Sequence, residues 1–206
     1  MARTTRTQFD DIATRARACR LCDKHLPFGP RPVFQIGGNA KILIAGQAPG
    51  RRVHESGIPF NDPSGERLRA WMGIDAATFY DPSQIAILPM GFCYPGTGKS
   101  GDLPPRPECA TEWRVRLLKL LPAIELTLVI GQYALDWHLK TTQKASLTQT
   151  VQNWQQYWPT QLPLPHPSPR NNGWFAHNRW FERALVPRLR ERVAEILAAS
   201  PDGPAR

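Results

Sequence analysis

Four short apolar runs constrain this chain most: KILIAG at 41–46, IAILPM at 85–90, LTLVIG at 126–131 and QLPLP at 161–165. Each has the length of a buried strand, and each stops where a polar or Gly/Pro-rich segment begins. Helical patterns fill the intervals, at about 7–18, 65–73, 107–121, 132–140, 146–157 and 180–198. Strands alternating with helices predict an α/β fold, a three-layer α/β/α sandwich around a central, mainly parallel four-stranded sheet. Pro63 or Ser64 is placed to start the second helix and Pro107-Glu108 the third, while Pro187 is expected to kink the last.

The length of 206 residues suits one domain spanning 1–206, with residues 1–6 and 200–206 read as flexible tails. A chain that is 41% hydrophobic and 21% charged buries a core, which excludes general disorder. No apolar run approaches the roughly 18 to 20 residues of a membrane helix. The opening MARTTRTQFD has no apolar stretch, so the sequence predicts no secretory signal, a cytoplasmic location and no membrane partner. In that compartment the four cysteines are not expected to pair as disulfides. A monomer is expected.

The charge balance is 26 basic against 17 acidic residues, a net +9 carried mostly by arginine. Arginines gather near the start (Arg3, Arg6, Arg15, Arg17, Arg20), at Arg51 and Arg52, and along the last helix (Arg179, Arg183, Arg188, Arg190, Arg192). Arginine's planar fork suits phosphate, and the excess points to a polyanionic partner, with nucleic acid first. A basic solvated surface is the plainer alternative.

Open α/β sheets bind ligands beyond the carboxyl ends of their strands. Four segments fall there: GQAPGRRVHESGIPFNDPSG (46–65), GFCYPGTGKSGDLPPRPEC (91–109), GQY (131–133) and HPSPRNNGW (166–174). The long, Gly- and Pro-rich ones read as functional loops and GQY as ordinary turn chemistry. The cysteines form a C-x2-C pair, Cys19 and Cys22, and a second pair, Cys93 and Cys109, separated by fifteen residues. Plain thiols, a four-thiolate zinc site and an iron–sulfur cluster all remain open on this spacing. Either metal would tie the N-terminal segment to the loop after the second strand.

GQAPG after the first strand, HPSPRN after the last and this order of cysteines together resemble the uracil-DNA glycosylase superfamily over nearly the whole chain. The cysteine pattern and the stretch from Cys19 through Gly65 look like its iron–sulfur branches, the fourth and fifth families. That resemblance implies a [4Fe-4S] cluster on Cys19, Cys22, Cys93 and Cys109, DNA as partner, and hydrolysis of the bond between a deaminated or damaged base and deoxyribose. HPSPRN is more like the fifth family and the single-strand-selective branch, so the chain looks like a divergent member. It departs from the fourth and main families in having Gln47 and Ala48 where they carry a carboxylate in the first motif. Asp62 in IPFNDPSG matches the aspartate that the fifth family carries after its Pro-Phe pair. Pro89 occupies the place of the asparagine that reads uracil in the fourth family, so that reading does not carry over.

Breaking an N-glycosidic bond leaves positive character on the sugar and negative character on the base, and a site must answer both. His166, held between Pro165 and Pro167, can donate to a base oxygen as a neutral imidazole, or else cap a loop. Asp62 can place a water and stabilise the sugar cation, or cap the helix that begins at SGERLR. Gln47, with the backbone of Gly46 and Ala48, can bond the base edge or the water. Phe60 offers a stacking face for an extruded base, or packs in the core. Ser64, Ser168, Arg51 and Arg52 are candidate phosphate contacts. Arg170 resembles the arginine that the single-strand-selective branch inserts into the duplex, with Asn171 and Asn172 assisting. His54 reads as a solvated loop histidine. Two rivals are a catalytically inactive DNA-binding protein of the same fold and a zinc module unrelated to repair.

Overall fold

The computed structural model describes residues 2–99, 101–139 and 145–199. Its strands are β1 (Ile42–Ala45), β2 (Ile85–Ile87), β3 (Thr97–Gly98), β4 (Gly101–Asp102), β5 (Leu126–Ile130) and β6 (Gln161–Leu164). Its α-helices are α1 (Ala2–Arg17), α2 (Arg51–Ser56), α3 (Pro63–Met72), α4 (Ala76–Phe79), α5 (Val115–Leu118), α6 (Gln132–His138), α7 (Leu147–Gln152), α8 (Asn172–His177) and α9 (Val186–Ala198). The four apolar runs form one parallel sheet in the order β2-β1-β5-β6, while β3 and β4 make a separate antiparallel hairpin.

Side chains alternate across the sheet, and each face has its own core. Ile42 and Ile44 pack with Leu68, Trp71 and Met72 of α3 and with Leu189, Val193 and Ile196 of α9. Leu43 faces the other way, with Ala86 and Leu88, onto Ile12, Ala13 and Ala16 of α1 and Leu117 of α5. Ala45 and Val129 extend that second side toward Ala134 and Leu135 of α6. With helices on both faces every residue of β1 and β5 is buried, which is why the runs are apolar throughout rather than alternating.

Several helices differ from expectation. α1 starts at Ala2, so the backbone of residues 2–6, read as tail, is helical. Residues 200–206 lie outside the described residues. α7 has a capping box between Ser146 and Gln149, and a separate 3-10 turn, Trp154–Gln156, follows its end. Pro187 stands in the first turn of α9, which directly follows a π-helical turn at Phe181–Leu185. Among the described residues no helix is long and apolar enough to cross a membrane.

Candidate active site at the carboxyl ends of the strands

A cleft of about 650 Å³ opens beyond the carboxyl ends of the strands, and the loops after β1, β2 and β6 line it. Its walls carry Gly46, Gln47, Ala48, Arg51 and Arg52 from the first loop, and Phe60, Asp62 and Ser64 at the start of α3. His166, Ser168, Arg170 and Asn171 come from the last loop. Apart from the cysteines and Asn172, every site residue anticipated from the sequence therefore borders one space. Gly131-Gln132-Tyr133 does not; Gly131 simply precedes α6 with a positive φ of 78°.

The last loop fixes the chemistry of its histidine. β6 ends at Leu164, and Pro165 and Pro167 hold His166 facing the cleft. The backbone N–H of Ser168 donates to His166 Nδ1 at 3.2 Å, leaving Nε2 to carry the proton of the neutral ring. Burial pushes this histidine below its ordinary pKa, against the opposing pull of Asp62 and Asp102 and with help from Arg170. Asn171 Nδ2 donates to the His166 carbonyl at 2.8 Å. From α3, Arg67 reaches across to the Ser168 carbonyl at 3.3 Å and the Asn172 side chain at 2.8 Å. Asn171 and Asn172 thus hold the loop, and Ser168 Oγ accepts from the Arg170 N–H at 3.2 Å.

Asp62 is the N-cap of α3, with Oδ1 accepting from Gly65 N–H at 2.9 Å, followed by Pro63 at the first helical position. Its other oxygen is not used by the cap. Just upstream Phe60 adopts a left-handed backbone with φ 54°, and a Cβ on Gly65 would stand 1.8 Å from the Phe60 carbonyl oxygen. Only glycine fits that approach, and the tight PFNDPSG turn follows from it. The Phe60 ring lies half-buried, edge-on to Phe79 with centroids 6.1 Å apart, and its tip stands 3.9 Å from where a Gly46 side chain would begin.

In the first loop, Gln47 is engaged twice: its carbonyl accepts from Gly91 N–H at 2.9 Å, and its Nε2 donates to the Leu103 carbonyl at 2.9 Å. Arg51 Nε pairs with Glu55 at 2.9 Å and lies over Phe28, while Arg52 is exposed. Ser64 is buried in the cleft wall. His54 is not solvated: it is buried beside Phe28 and Tyr94, and that burial lowers its pKa. Pro89 lines the cleft, its carbonyl held by the fully buried Arg114, which also donates to Leu88 O and to His138 Nε2 at 2.7 Å. Burial, with Arg114 beside it, pushes His138 down to about 3, so it is the neutral acceptor.

All four cysteines line a second, small cavity, with Leu26, Pro30, Pro32, Phe92, Arg106 and Trp113. Burial pushes Cys93 up to about 12 and Cys109 up to about 11, and Cys22 is also raised, first by burial and then by Glu108. Cys109 Sγ accepts from Phe92 N–H at 3.4 Å. Among the described residues no group of three or more His, Cys, Asp or Glu side chains converges on a site for a metal ion. The thiols surround a shared space instead.

Sequence reasoning missed Arg67 and Asp102. Arg67 sits on the polar side of α3, and its partners are distant in the chain. Asp102 lines the cleft from the β3–β4 hairpin. The glycines around it in GTGKSGD signal a tight turn within a ligand loop, which is the signal that could have found it.

The model of the Uracil DNA glycosylase superfamily matches residues 34–190. The chain belongs to that superfamily. The match begins ahead of β1 and closes within α9, so it takes in the whole parallel sheet and all of the cleft lining but Val33.

Proposed function

We propose that this protein is a monofunctional DNA glycosylase that extrudes uracil or a related deaminated or damaged base and hydrolyses its N-glycosidic bond, leaving an abasic site. The observation that carries this reading is His166: its Nδ1 accepts from Ser168, so a neutral Nε2–H faces the cleft. Such a donor stabilises the negative charge that collects on the departing base. Asp62, with one oxygen outside the helix cap, supplies negative charge on the sugar side. Phe60 gives the extruded base a stacking face, and Gly46 and Ala48 give it backbone partners. Gln47 keeps its amide oxygen for the base edge. Ser168, Ser64, Arg51 and Arg52 contact phosphates, and Arg170, exposed at the mouth with Asn171 behind it, fills the emptied stack.

We also propose a [4Fe-4S] cluster on Cys19, Cys22, Cys93 and Cys109. What supports it is the donor set: four thiols line one small cavity with mostly apolar walls. When bound it would cross-link the N-terminal segment to the 91–109 loop, a positioning role.

The test is release of base from oligonucleotides carrying uracil, hypoxanthine, xanthine or alkylated bases, with anaerobic iron and sulfide analysis of the same protein. The rival, a DNA-binding protein that has lost catalysis, draws on the first motif lacking a carboxylate and on Asp62 serving as a cap. Tight DNA binding with no abasic product from any of these substrates selects the rival.

A further inference from the structure

We infer that Asp102 is a further catalytic residue, the carboxylate that orients and deprotonates the attacking water; this rests on the glycosylase reading above. The loop after β1 brings no carboxylate of its own. Asp62 has one oxygen committed to starting α3. Asp102 enters the same cleft as His166 from a different loop, and its Oδ2 lies 3.6 Å from where a side chain on Gly50 would begin. It therefore stands against the GQAPG turn and supplies there the charge which that turn lacks.

The hairpin that carries it is held on three sides. Leu103 N–H donates to the Gly96 carbonyl at 2.8 Å, closing the hairpin on itself. Gln47 Nε2 donates to the Leu103 carbonyl at 2.9 Å, binding the residue after Asp102 to the first motif. Arg170 Nη1 comes within 3.5 Å of the Cβ position of Gly101, so the residue before Asp102 meets the last loop. Among the described residues no hydrogen bond or ion pair occupies the Asp102 carboxylate. Its charge and that of Asp62 both act on His166, which places the two acids within electrostatic reach of the base donor.

The step balances without any co-reactant. The water oxygen bonds to C1′ of the deoxyribose as the bond from C1′ to the base nitrogen breaks, and that electron pair leaves with the base. The base oxygen accepts from His166 Nε2–H. The water proton passes to Asp102 and then to solvent, which also protonates the released base. Gln47 is a positioning residue in this scheme, acting on Asp102 through Leu103.

Single-turnover cleavage of the best substrate, with enzyme in excess, is measured for the parent, Asp102→Asn, Asp102→Ala and Asp62→Asn, beside melting curves and affinity for an oligonucleotide containing a tetrahydrofuran abasic analogue. Asp102→Asn is expected to cleave about a hundredfold or more slowly, the scale of a lost general base, with melting and analogue affinity unchanged. Added formate is expected to restore part of the rate to Asp102→Ala and none to Asp62→Asn. A parental rate in Asp102→Asn overturns the inference while the glycosylase reading stands. A parent that releases no base overturns both.

Discussion

Ser168 and His166 are joined by a hydrogen bond from the backbone N–H of the first to Nδ1 of the second, 3.2 Å long. An accepting ring nitrogen carries no proton, so this bond selects the tautomer that presents Nε2–H to the cleft. Burial, chiefly, keeps the ring from taking a second proton. The rate of cleavage is therefore expected to stay level as pH falls through about 6.5, the ordinary histidine value, and to decline only further into acid. The same sign applies to stability: the unfolded chain accepts the proton first, so stability is lost as pH drops below that ordinary value. His166→Ala is expected to slow cleavage by about a hundredfold or more and to leave DNA binding near parental. A pH–rate break at the ordinary histidine value, absent from His166→Ala, counts against the assignment.

Gly65→Ala drives a methyl group into the Phe60 carbonyl, 1.8 Å from the ideal Cβ position. Either the PFNDPSG turn or the start of α3 must move, so a loss of at least about 2 kcal/mol is expected, together with slowed cleavage. Gly173→Ala is the control, because nothing stands within 4 Å of its Cβ position. It lies in α8, and there the change is expected to be neutral or stabilising. Chemical denaturation of the two variants separates the effects.

Cys93→Ala or Cys109→Ala removes one wall of the thiol cavity and one ligand of the proposed cluster. Protein purified without oxygen is expected to be brown with near-equal iron and sulfide, and either variant to lose the colour and melt earlier. Stoichiometric zinc without iron in the parent overturns the cluster.

Arg170→Ala is expected to weaken cleavage of a duplex more than of the same strand alone, since only a duplex leaves a gap to be filled when the base departs. Equal losses on the two substrates remove the wedge role.

The sheet was legible because each strand is covered on both faces, and continuous runs such as KILIAG need no periodicity to stand out. The short helices α2, α4 and α8 were not, because they span 6, 4 and 6 residues within turn-rich segments, too few for a helical stripe. The places of His166 and Asp62 in the cleft wall were readable from HPSPRN and PFNDPSG. Asp62 as helix cap was also foreseen, since aspartate before Pro-Ser-Gly is ordinary start chemistry. The buried seat of His54 was not, because it depends on Phe28 and Tyr94, which arrive from other loops. Asp102 was missed for a related reason: a lone exposed acid in a hairpin has meaning only once the chain has brought it back to Gly50.

The bonds from Arg67 to Ser168 and Asn172 span 101 and 105 residues, and the bond from Gln47 to Leu103 spans 56. Closing such distances costs chain entropy that only a nearly complete fold offsets. A nascent or truncated chain ending before β6 can build much of the sheet, yet it holds neither His166 nor the partners of Arg67. On the glycosylase reading, protein cut short of that point is expected to be inert rather than feeble.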